Sequence, residues 1–143
     1  MDYDIRWKQR FQNFSRAFEL LRTALESKQC EFSELEQAGI IQWFEIAFEL
    51  AWKTLKDYLE FGGVKIAEAT PRQVIKECAA SNIFETAEID GQVFLDMLEA
   101  RNLMSHIYDS EKAKAIIGEI KEKYLPELKK QYLFLLKAGE EDA

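Results

Sequence analysis

From Ser33 to the pair Gly62-Gly63, about thirty residues carry one helical pattern. Trp43, Phe44, Ile46, Phe48, Leu50, Trp52, Leu55 and Leu59 cover most of its circumference, and Gln42, Glu45, Glu49, Lys53, Lys56 and Glu60 fall on one narrow polar stripe. A helix apolar on so many sides has to be surrounded by other elements of the same chain. Ser33 and Gln37 are spaced only roughly like a cap, and Gly62-Gly63 is a natural helix stop.

The rest of the sequence supplies helices to surround it. From Ile5 to Leu25, Trp7, Phe11, Phe14, Phe18, Leu21 and Leu25 recur every three or four residues, the spacing of one helical face. Thr70-Pro71 is a helix start, with Thr as N-cap and Pro at the first helical position, opening a short helix to about Ser81. Residues Asn82 to Ile89 read as a connector, after which Asp90 caps a helix bearing Val93, Phe94, Leu95, Met97, Leu98 and Leu103. Asp109-Ser110 offers a further cap, followed at helical spacing by Ala113, Ile116, Ile117, Ile120 and Tyr124, and Pro126 is expected to kink or restart that last helix. No repeat, low-complexity tract or linker divides the 143 residues. The expected architecture is a single all-α domain over 1–143, an antiparallel up-and-down bundle of four to five helices.

Composition agrees and narrows the function. Six glycines and two prolines are too few for a strand-rich domain, and 48% hydrophobic residues are enough for a core. A formal charge of −7 opposes nonspecific nucleic-acid binding, so any RNA contact must be local. The first residues lack the apolar run of a signal peptide and no stretch suits a membrane helix, so the chain reads as cytoplasmic. Cys30 and Cys78 lie far apart with no Cys or His companions, and read as reduced thiols rather than a zinc site or a disulfide.

Polarity is concentrated at one end of the helix that starts at Asp90. On a wheel of 100° per residue, Asn102 and His106 nearly coincide, with Arg101, Ser105 and Tyr108 beside them. These types suit phosphodiester chemistry: an imidazole exchanges protons near neutral pH, a guanidinium holds a phosphate in two hydrogen bonds, and Asn102 can orient either. An Arg and a His near a helix C-terminus are equally favoured by the helix dipole and by capping of the last carbonyls, so both readings stand on spacing alone. His106 is the only histidine, and a mechanism with separate acid and base needs a second group, which a twofold homodimer would supply. Glu45 and Glu49, one turn apart, have the spacing of paired carboxylates facing the motif pocket, but Lys53 and Lys56 continue the same stripe and favour a solvated face over a magnesium site.

Arg101, four residues, His106, one residue and Tyr108 match the Rx4HxY motif of HEPN-domain proteins, with the polar Asn102 directly after the Arg. The surrounding text, Phe44-Glu45-Ile46-Ala47-Phe48-Glu49-Leu50-Ala51-Trp52-Lys53-Thr54-Leu55-Lys56 and Arg101-Asn102-Leu103-Met104-Ser105-His106, resembles the nucleotidyltransferase substrate-binding proteins, relatives of the HepT toxins, over almost the whole chain. The resemblance implies a homodimeric HEPN-like bundle that forms a complex with a companion minimal nucleotidyltransferase. It implies metal-independent RNA cleavage, with no cofactor, in which Arg101 stabilises the charged phosphorane, His106 shuttles the proton of the attacking 2′-hydroxyl and Asn102 assists. It also implies that Tyr108 is the tyrosine to which the partner adds AMP. The older family label implies another role, a noncatalytic subunit that holds the substrate while the partner transfers the nucleotide.

Overall fold

The computed structural model describes residues 2–27, 31–104, 106, 107 and 109–141. They form α1 (Tyr3–Glu26), α2 (Glu34–Phe61), α3 (Pro71–Ala80), α4 (Ile83–Ala87), α5 (Gly91–Met104), α6 (Ser110–Glu119), a π turn (Ile120–Tyr124) and α7 (Leu125–Glu141). Among the described residues there is no strand, and the expected all-α class holds.

Local chemistry sets most helix boundaries. The Asp2 carboxylate accepts from the N–H groups of Asp4 and Ile5, starting α1 ahead of the first periodic residue. Ser33 caps α2, but its reciprocal partner is Glu36 rather than Gln37: Glu36 N–H donates to Ser33 Oγ at 3.1 Å and Ser33 N–H to Glu36 Oε1 at 2.8 Å. Thr70, Asp90 and Asp109 accept from the opening amides of α3, α5 and α6 as their positions predict. α2 stops where Gly63 turns to φ +91°, a conformation open to glycine, and Val64 N–H returns to the Leu59 carbonyl at 3.0 Å.

The long helices run up, down, up, down. Trp7 packs against Tyr58 and Phe61, so the start of α1 meets the end of α2. Arg101 meets Phe48, and Ser110, just beyond α5, meets Gln37, so the chain runs back along α2 here. α6 and α7 then follow the direction of α2: Ser110 lies at Gln37, Tyr124 stacks on Phe44, and the Gln131 amide donates to the Ala51 carbonyl at 3.0 Å. α2 is the central helix, with Phe44, Ala47, Phe48, Ala51 and Leu55 fully buried beside Phe14 of α1, Phe94 of α5 and Leu128 of α7. Asp57 is also buried. It pairs with Arg10 at 3.1 Å and Lys56 at 3.8 Å, while desolvation pushes its carboxyl above the ordinary range against the pull of those cations. Cys78 is a buried free thiol pushed up to about 12, and Cys30 lies outside the described residues.

Two segments depart from the sequence reading. The connector Asn82 to Ile89 contains the one-turn helix α4, bracketed by Asn82 and Glu88 at positive φ. Its anchor is Phe84, buried against Phe94 at 5.2 Å, and a Cβ on Gly91 would come within 3.2 Å of the Phe84 ring. Five residues are too few to show a periodicity. Pro126 restarts the last helix as expected, through a wider turn: Leu125 N–H bonds the carbonyl of Ile120, five residues back. Pro126 has no N–H and its ring crowds the carbonyl four residues earlier, so the π turn opens the space that an α-turn would deny.

Candidate functional site

The polar segment at the end of α5 is delivered by a helix anchored in the core through Phe94, Met97, Leu98 and Met104, which are buried. α-Helical geometry ends at Met104. Beyond it His106 N–H donates to the Leu103 carbonyl and Ile107 N–H to the Met104 carbonyl, both at 3.2 Å and both three residues back. The wheel of 100° per residue therefore describes Arg101 and Asn102 but not His106, which lies on the tightened exit from the helix.

Arg101 turns toward α2. Its Nη1 is ion-paired with Glu49 Oε1, and the guanidinium lies over the Phe48 ring at 5.7 Å. The other oxygen of Glu49 accepts from Trp52 Nε1 at 3.0 Å and lies 3.8 Å from Lys53 Nζ. Arg101 Nε is buried and has no hydrogen-bond partner among the described residues. Glu49 is thus more than a member of the solvated stripe: it is the carboxylate that holds Arg101. The sequence reading offered Glu49 as a carboxylate facing the motif pocket but ranked it below the solvated stripe, because the spacing of Glu45, Glu49 and Lys53 fits ordinary i,i+4 pairing and only the packing of α5 on α2 brings Arg101 to Glu49.

Asn102 and His106 are exposed, and among the described residues no hydrogen bond links Arg101, Asn102 and His106. Tyr108, the expected AMP acceptor, and Ser105 lie outside the described residues. The chain is fixed again just beyond them. Ser110 Oγ donates to Gln37 Oε1 at 3.0 Å and Gln37 Nε2 donates to the Ser110 carbonyl at 3.4 Å. A groove of about 200 Å³, lined by Glu34, Gln37, Ile41, Ile107, Asp109 and Ala113, lies along this junction. Among the described residues no group of three or more His, Cys, Asp or Glu is placed to hold a metal ion, and no helix is long and apolar enough to cross a membrane.

A family model described as nucleotidyltransferase substrate binding protein like matches residues 9–137. The chain belongs to that family. The match runs from α1 into α7 and includes both the α5 terminus and the Glu49 region of α2. A search of curated proteins finds no match. In this substrate-binding-protein-like chain, the polar residues at the α5 exit divide into two sets. Arg101 is held against α2 by a carboxylate and an aromatic face, while Asn102 and His106 stand open to solvent.

Proposed function

We propose that this chain is a HEPN-type ribonuclease toxin, neutralised when a companion minimal nucleotidyltransferase adds AMP to Tyr108. The observation that carries the reading is His106. It is the only imidazole of the chain, it is exposed, and it sits just past a helix end bearing Arg101 and Asn102 in a family named for its link to nucleotidyltransferases.

The chemistry follows from these groups without a metal. His106 removes the proton of a ribose 2′-hydroxyl, the 2′-oxygen attacks phosphorus, and the bond to the 5′-oxygen breaks, leaving a cyclic phosphate and a 5′-hydroxyl end. Arg101 balances the charge that builds on the phosphorane, and Asn102 orients the phosphate or the imidazole. The departing 5′-oxygen needs a proton, and with one histidine per chain a twofold homodimer brings the second. AMP on Tyr108, two residues from His106, would place a bulky anion where the RNA backbone must lie.

The test is expression of the chain alone and beside its nucleotidyltransferase, scoring growth and the intact mass of the purified protein. Growth arrest that is lost in His106→Ala and relieved by the partner, together with a gain of AMP mass that disappears in Tyr108→Phe, supports the reading. Continued toxicity of His106→Ala removes the catalytic assignment.

One observation favours a second reading. Arg101 is engaged by Glu49 rather than open to a ligand, which suits a noncatalytic subunit that holds the substrate for a partner enzyme. No growth effect and no mass change, with a stable complex between the two proteins, would select it.

A further inference from the structure

We propose that Glu49 is a built-in competitor for the phosphodiester at Arg101, so that the guanidinium serves the site only after exchanging this carboxylate for a phosphate. The inference rests on the reading of the chain as an RNA-directed protein and adds a regulatory residue to the same site.

The geometry of the guanidinium is the argument. A phosphate is held most firmly by two parallel N–H groups, offered either end-on by the two Nη atoms or side-on by Nε with one Nη. In Arg101 the side-on fork is closed and the end-on fork is shared with a carboxylate. Nη1 is engaged by Glu49 Oε1, and Nε is buried with no partner among the described residues, closed off from a ligand approaching through solvent. The Phe48 ring beside the guanidinium covers it further. A phosphate taking the two Nη atoms end-on would have to share Nη1 with the Glu49 carboxylate, two anions at one nitrogen, so firm binding favours release of Glu49.

The carboxylate is itself held in place. Its second oxygen accepts from the indole of Trp52, a largely buried residue of the same helix, and Lys53 stands 3.8 Å away. Glu49 therefore cannot follow Arg101 outward without losing the Trp52 bond. The result is an exchange between two anions for one guanidinium, with the internal one fixed on α2 and the external one supplied by RNA. In a chain of net charge −7 this suppresses binding of isolated phosphates, and it favours a polyanion able to engage Asn102 and His106 at the same time.

The experiment measures binding of a fluorescent oligoribonucleotide made fully 2′-O-methyl, which cannot be cleaved, to the full chain by anisotropy. Glu49→Gln should tighten binding about tenfold, the size of one charge-assisted hydrogen bond regained. Trp52→Phe, which frees the carboxylate without removing it, should give a smaller gain. Glu45→Gln, which removes the same charge one turn away, should change affinity far less. Adding Arg101→Gln to Glu49→Gln should abolish the gain. The proposal is overturned by unchanged or weaker binding of Glu49→Gln, by an equal gain in Glu45→Gln, or by a gain that survives Arg101→Gln. These outcomes are independent of the ribonuclease reading. Absence of any cleavage or toxicity alongside an Arg101-dependent gain would end that reading and leave the exchange standing, whereas His106-dependent cleavage with no effect of Glu49→Gln on binding would do the reverse.

Discussion

Gln37 and Ser110 lie 73 positions apart in sequence, and each donates a hydrogen bond to the other across the junction of α2 and α6. Gln37 is buried at 7% exposure, so its amide has little water to turn to if Ser110 is lost. This pair pins the chain immediately after the segment that carries His106. Gln37→Ala is expected to cost about 1–2 kcal/mol in urea unfolding, the scale of a buried hydrogen bond broken on one side. Hydrogen exchange at the His106 and Ile107 amides should accelerate more than at the core of α2. Equal acceleration throughout would mean that the pair stabilises the bundle without positioning the segment.

Replacing the residues at the α5 exit separates structural from functional roles. His106→Ala, at an exposed position without described side-chain contacts, should shift stability by less than about 0.5 kcal/mol while removing toxicity. Arg101→Ala should cost about 1–2 kcal/mol, because it removes a partly buried ion pair and a stack on Phe48. A His106→Ala loss as large as that of Arg101→Ala would assign His106 to capping the helix.

Asp57 links stability to pH. Its carboxyl is raised above the ordinary value of 3.8, chiefly by desolvation, so the fold favours the protonated form. The stability this contributes is fully present below the unfolded-state value and is lost as pH rises through the folded one. Asp57→Asn, locked neutral, should therefore unfold at a higher temperature than the parent at pH 7, with the gap narrowing toward pH 4. Arg10 and Lys56 keep 35% and 25% side-chain exposure, enough for water to replace the carboxylate they lose. A variant less stable at pH 7 would show that these pairs outweigh desolvation.

Glu88 ends α4 at φ 60°, with Ile89 N–H returning to the Phe84 carbonyl at 2.8 Å. This is the helix-terminating position where glycine is preferred, and a residue with a Cβ is strained there. Glu88→Gly should raise stability by about 0.5–1 kcal/mol, read as a higher urea midpoint with unchanged slope. A lower midpoint would indicate that the Glu88 side chain supports the groove it shares with Tyr58, Lys130 and Phe134.

The helices themselves were legible because their signals are local. Periodic Trp7, Phe14, Phe18 and Leu21, the Thr70-Pro71 start, the Asp90 and Asp109 caps and the Gly62-Gly63 stop each act within a turn or two of chain. Even the up-and-down order follows once long amphipathic helices have short connections and must bury one apolar helix among them. The π turn before Pro126 and the short α4 were less visible, since one depends on how a helix relieves a steric clash and the other on a single aromatic anchor.

The sequence by itself determined the helical composition, the central position of α2 and that a run of polar residues ends α5. Only the tertiary structure decided what those residues face. The same spacing that made Glu49 one of several charges on a solvated stripe cannot tell that α5 crosses α2 there, and that Arg101 reaches Glu49 over the Phe48 ring. Nor could it tell that Gln37 serves Ser110 instead of capping its own helix. A helical period is a property of one segment, whereas an ion pair between α2 and α5 depends on how two segments separated by the α3 and α4 connection pack against each other.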